Sequence, residues 1–322
     1  MGKVKCILIS AHFMIQRHFQ VQEANMKEYT LSQQYAIIGL DGQSSSRRTT
    51  AKSAALRAIA AARLLEDTVL TEFPAEKKSR LEEGLTEVRR QNKKEAEELE
   101  KETVRFLEAD GALEEVPDLL GCDMNYYTAG NDLKQYRSDG DLYRRMIESV
   151  RGEILEEGPV TDECVCLLWL FRESGCLHDI FSTDEQTIVE RRMLGMAAEN
   201  EVAGLLWPLE FHSGVEGVVN TFLKGKNKLF RNPYLQGVNL LFPFLDRRQA
   251  VFVDFVVFGT QVQSRRIAML TFLSEMGHYV EEVKNGTETL LRIDNAYYRI
   301  WPRVIQCNKV PIQGAQLLPV YK

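Results

Sequence analysis

Residues 278–302 read HYVEEVKNGTETLLRIDNAYYRIWP. Three runs rich in β-branched, aromatic and leucine residues are separated by the turn dipeptides Asn285-Gly286 and Asp294-Asn295. Asn-Gly between two such runs is the strongest short-range hairpin signal, because both residues tolerate the positive φ that a two-residue turn demands. The stretch therefore predicts an antiparallel β-meander. Immediately before it, 264–276 carries a helical pattern. Before that, AVFVDFVVF at 250–258 is a nearly unbroken apolar β-run, expected as an interior strand. A final pair of short strands is expected over 303–320.

Working back toward the amino terminus, the periodicity becomes helical. RRTTAKSAALRAIAAARLLED at 47–67 is rich in alanine and leucine, and Ala54, Ala55, Ala58, Ala61 and Ala62 would let neighbours approach closely. Residues 27–41 open with another helix, with Tyr35, Ile37 and Ile38 as its apolar contacts. Residues 75–108 read as one long charged helix laced with i,i+4 pairs and closed by Gly111. Residues 117–140 hold Gly, Asn, Asp and aromatics, the composition of a loop or short hairpin. Helix returns over 141–156. CVCLLWLF at 164–171 is apolar on all sides, which requires deep burial. Ser182 and Glu185 form a capping box for a helix running to about Asn200. One more helix is expected over 215–231, ending in the basic KGKNKLFR.

The fold class that follows is α+β: a mostly α-helical N-terminal domain followed by a smaller α+β domain with an antiparallel β-meander. The expected divisions are an extension over 1–26, a helical domain over 27–208 and an α+β C-terminal domain over 209–322.

Composition narrows the function. With 322 residues, 44% hydrophobic and 27% charged, the chain can bury a core. A net charge of −6 argues against broad nucleic-acid binding, which calls for a basic surface. No stretch approaches the roughly 20 apolar residues of a membrane-spanning helix. The CILIS run at 6–10 is too short for a secretion signal, and Cys6 stands where a myristoylation motif wants Ser or Thr. The expected location is cytoplasmic, with peripheral association at the inner face of a membrane. The six scattered cysteines read as reduced thiols; Cys164 and Cys166 would need further ligands, such as Cys176 and His178, to hold zinc. No motif implies a cofactor or a metal.

Two blocks resemble the Golgi phosphoprotein 3 family. The first is YTLSQQYAIIGLD (29–41) with AKSAALRAIAAARLLED (51–67). The second runs from YRRMIESVRGEILEEGPVTDECVCLLWLFRESGCLHDIF (143–181) to STDEQTIVERRM (182–193). The resemblance covers about half of 27–200 and implies a largely helical fold. It also implies binding of phosphatidylinositol 4-phosphate at a membrane through a tryptophan and several arginines, aided by an apolar β-hairpin. Arg57 falls where one such arginine sits. The tryptophan position lands near Arg48, two arginine positions fall near Glu97 and Glu100, and the hairpin corresponds to about 119–140. The chain beyond about 210 has no counterpart in the family core.

Three groups of residues could carry function. Arg47, Arg48, Lys52 and Arg57 gather near a helix start, where free backbone N–H groups also favour anions; arginine suits bidentate phosphate contact. Lys224, Lys226, Lys228, Phe230 and Arg231 mix basic and aromatic residues as a membrane-contacting segment does. Asp254 with Glu282 and Lys284 has the composition of a magnesium-dependent nuclease site. The leading expectation is a non-catalytic binding protein whose partner is an anionic phospholipid surface. The alternatives are a protein–protein adaptor, docking through the back portion, and, more remotely, the nuclease.

Overall fold

A computed structural model describes residues 29–71, 77–124, 130, 132–210, 247–254, 262–284, 289–307 and 310–320. The chain divides between Thr30 and Leu31, and every helix and strand named below lies within Leu31–Lys322.

Helices come first in the chain. They are α1 (Leu31–Gly39), α2 (Thr50–Thr68), α3 (Lys77–Arg90) and α4 (Lys93–Ala109). A small two-stranded sheet pairs β1 (Leu113–Pro117) with β2 (Lys134–Ser138), with a 3-10 turn at Leu119–Cys122 between them. Then follow α5 (Gly140–Leu155), α6 (Asp162–Ser174), α7 (Leu177–Ile180), α8 (Thr183–Met196) and α9 (Glu201–Leu206). The back portion holds β3 (Val251–Asp254), α10 (Val262–Glu275), β4 (Val280–Lys284), β5 (Leu290–Ile293), β6 (Ala296–Cys307) and β7 (Val310–Val320). No helix among the described residues is long and apolar enough to cross a membrane.

The α-helical core forms around α6. Cys164 through Phe171 are all buried, and the Phe171 ring meets Tyr35 of α1 at 5.7 Å. The helix packs on α1, α2, α5 and α9. Each fully buried large side chain contributes about 1.5–3 kcal/mol. The small residues of α2 serve the purpose expected of them: Ala55, Ala58, Ala61 and Ala62 are at most 1% exposed and allow close approach. Thr49 caps α2, its Oγ1 accepting from the Lys52 amide at 3.0 Å.

Five strands form the antiparallel sheet, in the order β3-β7-β6-β5-β4. Leu291, Ile293, Tyr298 and Leu317 pack beneath it with Met269 and Leu273 of α10 and with Leu119, Leu120 and Cys122.

Three expectations need correction. The long helix over 75–108 is two helices. Asn92 breaks it, accepting from the amides of Lys94 and Glu95 while Glu95 accepts from the Asn92 amide, a capping box that starts α4 afresh. Of the run at 250–258, expected as an interior strand, Val251–Asp254 form an end strand among the described residues, since β3 pairs with β7 alone. Finally, β6 does not stop at Pro302 but continues to Cys307, paired throughout with β7. The expected helix over 215–231 lies outside the described residues.

Candidate functional site

The four cations near the start of α2 do not form one open patch. Lys52 is 5% exposed; its Nζ lies 2.6 Å from Glu100 Oε1 on α4, which also accepts from the Tyr136 hydroxyl at 2.7 Å. Arg47 turns to Asp118, at 3.0 Å, ahead of the 3-10 turn. Arg48 is exposed, its Nε reaching Ser53 Oγ at 3.5 Å, and Arg57 is half-buried on α2. Arg47 and Lys52 are therefore neutralised by the chain's own carboxylates. Glu100 is among them, standing where the family resemblance leads one to expect an arginine. Glu97 pairs with Lys93 on the surface of the same helix.

Lys224, Lys226, Lys228, Phe230 and Arg231 lie outside the described residues. The nuclease trio is not a site. Asp254 is on β3 and Glu282 on β4, at opposite ends of the five-stranded order. Four strand spacings separate them by roughly 19 Å, beyond the reach of one cation. Glu282 is instead paired with Arg266 at 3.2 Å. Cys164, Cys166 and Cys176 are buried and free, and burial pushes the Cys164 thiol up to about 12. No cluster of three or more metal-ligating side chains occurs among the described residues.

A different constellation assembles between α5 and the sheet. Gly140, Tyr143, Arg144, Ile147, Glu148 and Arg151 recur at the i, i+3, i+4, i+7 spacing of a single helix face. Opposite them stand Arg292, Tyr297 and Val320. These are register partners across β5, β6 and β7 and so form one lateral row of the sheet. Asn295, Arg248 and Asp179 complete a cleft of about 170 Å³.

The charges of this cleft differ in how firmly they are held. Arg248 is buried with Asp41 (3.4 Å), Asp179 (3.6 Å) and the Tyr143 hydroxyl (3.1 Å). Arg247 adds a 2.7 Å pair to Asp179. Burial drives the Asp41 carboxyl upward against the pull of Arg248 and Arg247. Burial also opposes ionisation of Asp179, yet Arg247, His178 and Arg248 together hold that carboxyl below its ordinary value. Arg151 donates to Glu185 from both terminal guanidinium nitrogens, Nη2 at 2.6 Å and Nη1 at 3.0 Å, and this hydrogen bonding, outweighing partial burial, lowers Glu185 to about 2. By contrast, among the described residues Arg144 pairs only with the exposed Asp141 (3.2 Å) and Arg292 only with the exposed Glu281 (2.8 Å). Such solvent-facing pairs are worth about 0–1 kcal/mol, so an incoming anion can take over either guanidinium at little cost.

The α5 face was not singled out from the sequence, although Arg144 and Arg151, seven positions apart on an expected helix, carried a signal that could have found it. Arg292 carried no such signal, because its meeting with α5 depends on tertiary packing. No family model matches the chain, and neither a curated protein nor a solved structure matches it.

Proposed function

We propose that this is a non-catalytic binding protein whose ligand presents a phosphate-type anion, at a membrane surface or in solution. The observation that carries the reading is the α5–sheet cleft. Guanidinium groups line it from both walls and the floor, and the outermost two, Arg144 and Arg292, are tied among the described residues only to exposed carboxylates. Arginine presents a planar fork of donors suited to phosphate oxygens. Kinship with the Golgi phosphoprotein 3 family belongs to this proposal. The order of α1, α2, α5, α6 and α8 and the buried small-residue face of α2 support it.

Liposome flotation with and without acidic phospholipid tests the reading. Binding should require the acidic lipid and weaken as ionic strength rises from about 0.01 to about 0.15 M, where the screening length falls from about 30 to about 8 Å. Each basic residue near an anionic surface is worth about 1 kcal/mol, so replacing Arg144 and Arg292 together by Gln should weaken binding about thirty-fold. Equal, negligible flotation in both lipids, with no thermal shift in inorganic phosphate, removes the proposal. In that event the adaptor alternative gains, for which the exposed Tyr279, Val283 and Val304 of the back portion are the favouring observation.

A further inference from the structure

Within the cleft, Glu148 stands apart. It is exposed, lines the cleft, and has no hydrogen bond or ion pair among the described residues. It follows Arg144 by four positions, the spacing at which a glutamate and an arginine on one helix can pair. Arg144 nevertheless bonds to Asp141 instead. An unpaired carboxylate thus sits one helical turn from an exchangeable guanidinium, both facing the same cavity. A ligand that is anionic throughout would meet repulsion from Glu148; a ligand with a cation beside its anion would not.

We infer that the cleft takes an amino-phosphate: a phosphate group with an ammonium about two carbons away. The phosphate sits between Arg144 and Arg292, and the ammonium donates to Glu148. The inference rests on the anion-binding reading above and narrows it. The dimensions agree. Side chains one turn apart are separated by about 5–6 Å at Cβ. The P–O–C–C–N link spans four bonds of about 1.5 Å, or about 5 Å end to end. The cavity of about 170 Å³ has room for on the order of ten water molecules, more than a phosphoethanolamine group requires.

Two sources could supply this chemistry, a lipid headgroup or a soluble small molecule, and calorimetry with flotation separates them. The soluble arm compares O-phosphoethanolamine with glycerol 3-phosphate, which lacks the amine. The vesicle arm compares phosphatidylserine with phosphatidylglycerol at equal mole fraction, so that net surface charge is matched. In at least one arm the amine-bearing member should bind about five-fold tighter, the equivalent of roughly 1 kcal/mol for one partly screened pair. Glu148→Gln should bring that ratio to about one. A ratio near one in the unaltered protein, with both ligands binding, overturns the amine subsite and leaves the anion site standing. A preference that survives in Glu148→Gln also overturns it. Absence of binding in every arm removes both readings.

Discussion

At the scale of single residues, Lys52 shows how a sequence can mislead about charge. Its neighbours Arg47, Arg48 and Arg57 suggest a cationic helix start, and nothing local reveals that Glu100, 48 positions later, lies 2.6 Å from its ammonium. The pair is buried, so removing one member strands the other. Lys52→Met should cost about 3–5 kcal/mol in urea unfolding, and adding Glu100→Gln should recover much of the loss. A loss below about 1 kcal/mol, or no recovery in the double variant, would show that the pair is solvated after all. Asp294 makes a comparable point about pH. Burial pushes its carboxyl up, but the His278 ring at 2.8 Å, Arg137 at 2.9 Å and the Tyr279 amide at 3.1 Å prevail and hold it below the usual carboxylate value. A depressed folded-state value means that Asp294 stabilises the fold above the ordinary carboxylate pKa, near 4, and that this contribution is lost as pH falls through the folded value. Asp294→Asn keeps a residue that accepts the positive φ of 53°. It should flatten the acid limb of the stability–pH curve; an unchanged slope below pH 4 would refute the assignment.

Among the elements, boundaries set by local chemistry were the most legible. Ser182 and Glu185 form the expected capping box, each accepting from the other's amide, and Gly175 closes α6 at φ 76°. The Asn92–Glu95 box carried the same kind of signal, but the continuous charge of 75–108 concealed it. Strand order was not legible, because nothing in AVFVDFVVF says which edge of which strand it will meet. Gly314 is the residue that fixes that meeting. It stands opposite Asp254 in the β3–β7 register, and a Cβ there would come within 2.5 Å of the Val253 carbonyl oxygen and of the Phe252 ring. Backbone cannot yield as a side-chain tip can. Gly314→Ala should therefore destabilise by about 1–3 kcal/mol and selectively raise amide exchange over Val251–Asp254. If β3 stayed as protected as before, the close approach would not be what seats it.

For the molecule as a whole, the β5–β6 turn is the piece that unites the sheet with the helical part, and the sequence marked it only as a turn. Asp294 and Asn295 are consecutive, yet each reaches across the chain. Asp294 accepts from Arg137 of β2, while Asn295 Nδ2 donates to Asp41, just beyond α1, at 2.8 Å and to the Ser138 carbonyl at 2.9 Å. Asp41 in turn accepts from the Ser138 amide at 3.0 Å and pairs with Arg248 on the cleft floor. Sequence patterns report periodicity within an element, whereas these bonds span 97 to 254 positions; no local signal could have placed them. Because Asp41 shares its acceptor capacity among all three partners, loss of Asn295 should be felt on β2 as well as in the turn. Asn295→Ala should raise hydrogen exchange over 134–139 and 290–299 together and weaken the phosphate binding proposed for the cleft, whose wall Asn295 forms. Exchange rising in the turn alone, with 134–139 unchanged, would mean that the two parts merely touch there, and that the cleft geometry is held by the packing of α5 rather than by this hydrogen-bonded join.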